Sequence, residues 1–316
     1  AWPLFAASVL LIFGIVAFLI RSQKNTNWDY TTPTVIQKIL LNYLQMLSLF
    51  GNFDIQWPPQ VRQMFAISEG SSSFSQDVFT VDCAVQTNYY DKLLAYMMIP
   101  ILAIVVPLAI FLAWHFFRRG LGIVIRRPYY GTIGEALNGS LLATMIIIFM
   151  THPTISRQVF NVFNCVNMDD ILYLQEDLSI LCDENDGTYR LWRQISFIAL
   201  FAFCLGVPVY GFILLYFLRH KLSLPSTRSR FGFLYIGLDP KRFYWEMLTI
   251  LRKLSIVYCV VFIKTKAVHQ VFAALWVIQM SMLGPLFLRP YEAELAQRLE
   301  LASLFSGFVT LMMGLM

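Results

Sequence analysis

Three charged residues interrupt an otherwise apolar stretch at 242–266, RFYWEMLTILRKLSIVYCVVFIKTK. Glu246, Arg252 and Lys253 share one flank when the stretch is drawn as a helix with about 100° per residue. After Lys253 the flank carries no further charge until the end of the stretch. Ionisable groups in a lipid-buried helix are typical of ion paths, substrate contacts or interhelical ion pairs. The spacing therefore predicts a charged cluster inside a membrane.

A candidate partner for these charges is Glu135, in GTIGEALNGSLLA, because it begins another predicted span from the same side. A pair between Glu135 and Arg252 or Lys253 would satisfy both charges, and such pairs often only fix helix register. Contact with an ion or a substrate is the alternative. The charges either face the helix bundle or belong to an interfacial stem over 240–252, with the basic side chains at headgroup depth.

A second polar pattern lies in 33–51, where Asn42, Gln45 and Ser48 are three residues apart. This spacing places them on one face of a helix. The stripe predicts a span that turns its polar face into the bundle, and an interfacial helix is the alternative.

The composition indicates a membrane protein: 58% of the 316 residues are hydrophobic and 14% are charged, against about 25% charged in soluble domains. The mean hydropathy of +0.61 and repeated apolar stretches predict an all-α, polytopic bundle of about 8 transmembrane helices. We predict seven complete spans and a truncated eighth, near 2–20, 33–51, 93–117, 133–151, 194–218, 243–263, 268–288 and 299–316. Both ends are apolar, so we expect a fragment of a longer chain.

Basic residues are unevenly divided between the two sides that these spans define. One side, which includes the loop 219–242, holds 17 of the 24 Lys and Arg residues, and the loops 52–92 and 152–193 hold 12 of the 19 acidic residues. Because cytoplasmic loops are enriched in Lys and Arg, the first side is predicted to be cytoplasmic and the N-terminus extracellular or lumenal. The basic residues expected at anionic lipid headgroups are Arg118, Arg119, Arg126, Arg127, Arg219, Lys221, Arg228 and Arg230.

The outer loop 152–193 contains two cysteines, in NCVNMDDILYLQEDLSILCDENDG. On an oxidising side of a membrane, Cys165 and Cys182 predict a disulfide. Cys83, in the other outer loop, is left over and is a candidate for pairing with an extracellular partner or with a second copy of the chain. The acidic residues lack the D-x-D-x-D-G-x5-E spacing of a calcium loop, so we predict a solvated loop and no metal site.

Several stretches resemble a known kind of membrane region: LNYLQMLSLFGNFDIQWPP, VFNC, RFGFLYIGLDPKRFYWEMLTILRKL and LFLRPYE. The similarity covers nearly all of 20–300, with FYWE-x5-RK and RPY as its most specific pieces. It is to the multipass C-terminal region of large algal, oomycete and other protist proteins described as similar to transient receptor potential (TRP) or polycystin channels.

The resemblance implies a helical membrane region that follows extracellular repeat modules. True TRP channels place a pore helix between their last two spans, whereas KTKA alone joins 243–263 to 268–288 here. A pore would therefore lie elsewhere in the chain or between protomers.

Three functions fit these features. The first is a TRP-like cation channel or sensory protein of the plasma or ciliary membrane, with a large extracellular N-terminal region. The second is a non-conducting anchor or scaffold for an extracellular or ciliary-surface assembly, and the third is a secondary transporter, although no internal repeat is visible. A hydrated path lined by Asn42, Gln45 or Glu246 would favour the channel, and a solid bundle would favour the anchor.

Other classes of function find no support in the sequence. It contains no zinc-protease, phosphate-loop or nucleophile-elbow motif, so we expect no enzyme activity and no cofactor. Membrane topology accounts for the net charge of +5 without a nucleic-acid partner.

Overall fold

The computed structural model describes residues 31–72, 88–124, 133–263 and 267–315. These residues form helices and, between two of them, one small sheet, which confirms the predicted all-α class. The helices are α1 (Thr31–Phe50), α2 (Pro59–Ser72), α3 (Tyr89–Val124), α4 (Ile133–Asn161), α5 (Gly187–Ala199), α6 (Gly206–Leu218), α7 (Pro225–Tyr235), α8 (Trp245–Phe262), α9 (Ala267–Leu288) and α10 (Glu294–Gly314). A π-helical turn, Leu200–Cys204, joins α5 to α6.

Four helical segments are long and apolar enough to cross a membrane, which indicates a membrane protein. They are Tyr89–Gly120, Ile133–Asn161, Gly187–Lys221 and Ala267–Leu288. Helices α1, α8 and α10 have 20, 18 and 21 residues, but each buries charged or polar side chains. The count of eight spans stays a prediction, and the predicted span 2–20 lies outside the described residues.

The helices α1, α4, α8 and α10 run in the same direction through the bundle. Tyr43 of α1 and Ser306 of α10 are hydrogen-bonded at 2.8 Å, each about midway along its helix. The side chain of Gln45 on α1 donates to the backbone oxygen of Met150 on α4 at 3.0 Å. Helix α8 packs against α1, α4 and α9. Charges on α8 can therefore reach several neighbouring helices.

The sheet lies between α4 and α5 and consists of β1 (Cys165–Met168), β2 (Ile171–Leu174) and β3 (Asp177–Leu181), all antiparallel. Asp169 and Asp170 connect β1 to β2 with φ values of 52° and 65°. Two consecutive residues with positive φ suit the right-handed twist of a tight hairpin, and Asp tolerates that region. Cys165 and Cys182 are disulfide-bonded, with their Cα atoms 6.4 Å apart, which confirms the predicted pair.

The structure differs from the predicted boundaries at two loops. The segment 152–193, predicted as a loop, begins in helix, because α4 continues to Asn161. Its polar residues Thr151, His152 and Ser156 are buried against neighbouring elements, so they extend the helix where hydropathy alone predicts its end. The predicted basic loop 219–242 contains helix α7.

Candidate functional site: a buried charge cluster

The three charges that interrupt the apolar stretch lie inside the bundle. Glu246, Arg252 and Lys253 are each 7% exposed or less, and they occupy the first nine residues of α8. They meet side chains from α1 and α10 over about two turns of α8. We define the charge cluster as Lys38, Asn42, Gln45, Glu246, Arg252, Lys253 and Glu300.

The charge of Glu246 is matched by Lys38 of α1. Lys38 Nζ lies 2.9 Å from Glu246 Oε1, and both side chains are buried. The same ammonium donates a hydrogen bond of 2.9 Å to the backbone oxygen of Phe233 in α7. Neither oxygen of Glu246 accepts an aligned hydrogen bond from the described residues, so the contact is an ion pair. One lysine thus connects α1 to α7 and to α8.

The charge of Arg252 is matched by Glu300 of α10, with Arg252 Nη1 3.0 Å from Glu300 Oε1. The other carboxylate oxygen of Glu300 accepts a long hydrogen bond of 3.5 Å from the hydroxyl of Tyr291. Burial, with the nearby negative charges of Glu300 and Glu246, raises the pKa of Tyr291 well above its ordinary value. The phenol therefore stays protonated over the physiological range and serves Glu300 as a donor.

Lys253 has neutral partners. Its ammonium donates to Asn42 Oδ1 at 2.7 Å and to Gln45 Oε1 at 2.5 Å, both on α1. It also lies 4.2 Å from the centre of the Phe149 ring on α4, a cation–π distance. The polar stripe predicted on 33–51 is thus buried on α1, and two of its members solvate a lysine of α8.

The third member of that stripe lies nearer the other end of α1. Ser48 is 7% exposed, and its backbone oxygen accepts a hydrogen bond of 2.9 Å from the side chain of Asn52. Helix α1 packs in the bundle beside α8 and α10 along its length. Helix α1 therefore packs within the bundle, and its crossing of the membrane stays a prediction.

The cluster contains three cations and two carboxylates, each carboxylate in contact with one cation. An unpaired charge at the centre of a membrane helix costs about 2.5–3.5 kcal/mol on insertion scales, and ion pairing offsets part of that cost. The contacts join α8 to α1 and α10, and each charged residue is 7% exposed or less. This arrangement sets which helices pair and in what register.

The pairing predicted for Glu135 is wrong. Glu135 is exposed in the first turn of α4, whereas Arg252 pairs with Glu300 and Lys253 with Asn42 and Gln45. The α4 residue at the level of Lys253 is Phe149. Phe149 is fourteen residues beyond Glu135, roughly 21 Å along a helix. A charge at the very start of α4 is too far from the middle of α8 to reach it.

Sequence reasoning missed two members of the cluster, Lys38 and Glu300. Glu300 was placed at the edge of a predicted span beginning at 299, but α10 begins at Glu294, so Glu300 lies seven residues into the helix. Lys38 is eight residues into α1. The signal that could have found both is a single charge flanked by apolar residues, in VIQKILL and LELASL.

A loop contact positions Tyr291 for Glu300. The segment after α7 pairs with the segment after α9, with Leu238 opposite Tyr291 and Asp239 N donating to Pro290 O at 2.8 Å. Gly237 makes this turn with φ of +81°, and a Cβ there would lie 2.1 Å from a methyl carbon of Val35. Only glycine fits both the backbone conformation and the contact.

A separate polar contact lies at the π-helical turn. The backbone oxygen of Cys204 would accept from residue 208 in an α-helix, but Pro208 has no N–H. His152 Nε2 lies 3.0 Å from that oxygen and is the donor it requires. The deeply buried His152 therefore replaces a missing helix hydrogen bond, which explains a histidine in this apolar part of α4.

Other predicted residues lie away from the charge cluster. Arg118, Arg119, Arg219, Lys221 and Arg230 are exposed, as a headgroup contact requires, and Arg228 is half-buried. Arg126, Arg127 and Cys83 lie outside the described residues. In the part of the chain that the structure describes, no group of three His, Cys, Asp or Glu side chains is arranged to hold a metal ion.

Comparison with known proteins finds one distant relative. The chain is similar to Cysteine repeat modular protein A of Toxoplasma gondii, with 23% identity over 309 aligned residues. The alignment covers 78% of this chain and 10% of that protein, so the chain corresponds to about a tenth of its relative's length. No family model matches the chain, and no solved structure matches it.

Proposed function

We propose that this chain is a non-conducting membrane anchor that carries a large extracellular region. The observation that supports this proposal is the enclosure of the charge cluster: its five charged side chains are 7% exposed or less, and each contacts a neighbouring helix. A conducting path needs polar groups that face water. In this cluster the polar groups face one another, as expected of interhelical contacts that hold a bundle together.

The orientation proposed for the anchor follows the basic residues. The loop 219–242, which contains α7, would be cytoplasmic, because it carries the exposed basic residues Arg219, Lys221 and Arg230. The disulfide Cys165–Cys182 lies at the other end of α4 and suits an oxidising compartment. The plasma or ciliary membrane would provide such a compartment on its outer side.

The distant relative supports an anchor of this kind. Its name describes cysteine repeats, and nine-tenths of its length lies outside the part that corresponds to this chain. We infer that the present chain likewise belongs to a protein whose extracellular part is much larger than its membrane part.

Cation flux tests the proposal. The purified chain is reconstituted into liposomes that contain a fluorescent cation indicator, beside protein-free liposomes and a known cation channel. An anchor gives flux equal to protein-free liposomes. In the same preparation Lys253→Met, which leaves Asn42 and Gln45 without their donor, lowers thermal stability and leaves the flux unchanged. Cation flux that rises with the amount of protein would overturn the anchor.

A TRP-like cation channel or sensory protein is the second candidate. It is favoured by the excess of one buried positive charge in the cluster. It is also favoured by the two motifs of the resemblance, because FYWE-x5-RK supplies three members of the cluster and Tyr291 of RPY contacts a fourth, Glu300. For this function the pore would lie between protomers. Flux that Glu246→Gln or Lys253→Met alters, in variants that keep their fold, would select the channel over the anchor.

A further inference from the structure

An open groove runs along the surface of the bundle between α8 and α9. It has a volume of about 540 Å³, within the usual range of small-molecule sites. Trp276 and Met280 form its α9 wall and are 60% and 59% exposed, so the groove opens toward the surroundings of the bundle. Since α9 is apolar enough to cross a membrane, those surroundings are hydrocarbon.

The floor of the groove contains a charge. Arg252 lines it, although its side chain is more than nine-tenths buried. Arg252 Nη1 is bonded to Glu300, but the buried Nε has no hydrogen-bond partner among the described residues. A guanidinium presents donors on several sides, and one carboxylate oxygen satisfies only part of them. The groove is therefore apolar along its walls and has a guanidinium with an unpartnered N–H beneath them.

One end of the groove is also basic. Leu288, the last residue of α9, lines this end, and its backbone oxygen lies 3.4 Å from Arg242 Nε. Arg289 follows directly, is exposed, and has a φ of +45°. Lys241 is exposed beside Arg242. Three basic side chains are thus close to the end at which α8 begins and α9 ends.

We propose that this groove binds an anionic phospholipid of the surrounding bilayer. One acyl chain lies between Trp276 and the α8 wall, and the headgroup contacts Arg242 and Arg289 at the basic end. The charge cluster beneath the chain, with three cations and two carboxylates, adds its net positive charge to the preference for an anionic over a zwitterionic lipid. The second acyl chain of the lipid stays in the bilayer.

The choice of occupant rests on charge and surroundings. A zwitterionic lipid would fill the apolar walls but would bring no net negative charge to the three basic residues at the end of the groove. A helix from a second copy of the chain would need a continuous apolar strip, and the basic end and Arg252 interrupt one here. The proposal does not depend on whether the protein conducts ions.

Quenching by brominated lipids tests the proposal, because Trp276 lies in the groove wall. The chain is reconstituted in phosphatidylcholine that contains either chain-brominated phosphatidylserine or chain-brominated phosphatidylcholine. The signal of Trp276 is the difference between the chain and its Trp276→Phe variant. We expect brominated phosphatidylserine to quench Trp276 at a lower fraction of lipid than brominated phosphatidylcholine does.

Matched variants identify the groove as the site. Ser281→Phe, which fills the groove, abolishes the preference for phosphatidylserine, whereas Leu283→Phe, on the same helix but outside the groove, keeps it. Arg242→Gln weakens the preference about fivefold, the effect of one basic residue near an anionic surface. Arg252→Lys keeps the charge and most of the preference.

Three results would overturn the proposal. Equal quenching by the two brominated lipids would show a groove with no selectivity for anionic lipid. A preference that Ser281→Phe leaves intact would locate the bound lipid elsewhere on the bundle. If a second copy fills the groove instead, Trp276 is shielded from both lipids, and native mass spectrometry shows a dimer that Ser281→Phe dissociates.

Discussion

The two halves of helix α8 are buried by different means. Arg252 and Lys253 contact polar or charged partners on α1 and α10, but one turn later Ile256 enters an apolar core and is fully buried. The same change occurs along α10, where Glu300 is followed one turn later by the fully buried Leu304. We call these two levels of the bundle the charged half and the apolar half.

The difference between the halves is one of specificity. A buried carboxylate needs a cation at one place and distance, so the charged half selects which helices meet and at what level. An apolar side chain accepts any apolar neighbour of suitable shape, so the apolar half supplies packing energy with less selection of partners. The charged half should therefore tolerate substitution far less well than the apolar half.

The largest expected effect comes from Glu300→Gln, which leaves Arg252 buried without its carboxylate. Removing one partner of a buried ion pair costs about 3–5 kcal/mol of unfolding free energy. Thermal unfolding of the purified chain in detergent measures the loss. The control is Glu294→Gln on the same helix, where the pair with Arg298 is about three-quarters exposed and is worth about 0.3–0.5 kcal/mol. Equal losses of unfolding free energy in Glu300→Gln and Glu294→Gln would contradict a special sensitivity of the charged half.

A smaller effect is expected at the end of the apolar half, where the disulfide lies. Replacing Cys165 and Cys182 by serine opens a loop of 17 residues, which the chain-entropy model values at about 3 kcal/mol. Limited proteolysis should cut within 165–182 while the charge cluster stays protected. A reducing agent should reproduce this pattern in the parent chain and have no effect on the variant. Loss of the whole bundle on reduction would contradict this expectation.

The hydrogen bond between His152 and the backbone oxygen of Cys204, at the π-helical turn, belongs to neither half and can be tested by substitution. His152→Leu leaves the backbone oxygen of Cys204 buried without a donor, at a cost of about 1–3 kcal/mol. Pro208→Ala restores an N–H to the helix at the position that pairs with this oxygen. A double-mutant cycle, read by thermal unfolding, should therefore show a smaller cost of His152→Leu in the Pro208→Ala background. If the stability changes of His152→Leu and Pro208→Ala simply add in the double variant, His152 does not replace the N–H that is missing at Pro208.

The smallest effect is expected inside the apolar half. Ile256→Val removes one methylene from a fully buried side chain and should cost about 0.5–1.5 kcal/mol. Ile213→Val, at a site 43% exposed on α6, is the control and should be near neutral. A loss at Ile256 as large as that of Glu300→Gln would remove the distinction between the halves.

The residues of the charged half were found in the sequence because they contrast with their surroundings. Glu246, Arg252 and Lys253 interrupt an apolar run, and Asn42 and Gln45 repeat at helical spacing, so both groups could be recognised without coordinates. The disulfide was recognisable because two cysteines enclose an acidic loop on the side with few basic residues. In each case the signal is local, within a few turns or one loop.

The partners of those residues were not recognisable from local signals. Lys38 and Glu300 are 208 and 54 residues from Glu246 in the chain, and Glu135 satisfied the same requirement of charge and side of the membrane. Which of the carboxylates meets Arg252 depends on how far each lies along its own helix. Helix α10 begins at Glu294, several residues before the predicted start at 299. An error of a few residues in a boundary displaces a side chain by about one turn, enough to exchange its partner.

The sequence by itself determined the class of the protein, the charges it must bury and the cysteines it joins, because hydropathy, helical spacing and charge contrast are properties of neighbouring residues. Only the tertiary structure decided that Lys38 and Glu300 match those charges, that His152 replaces the donor missing at Pro208, and that Arg252 underlies an open groove. These facts depend on the relative depth and rotation of helices distant in the chain, which no local pattern encodes.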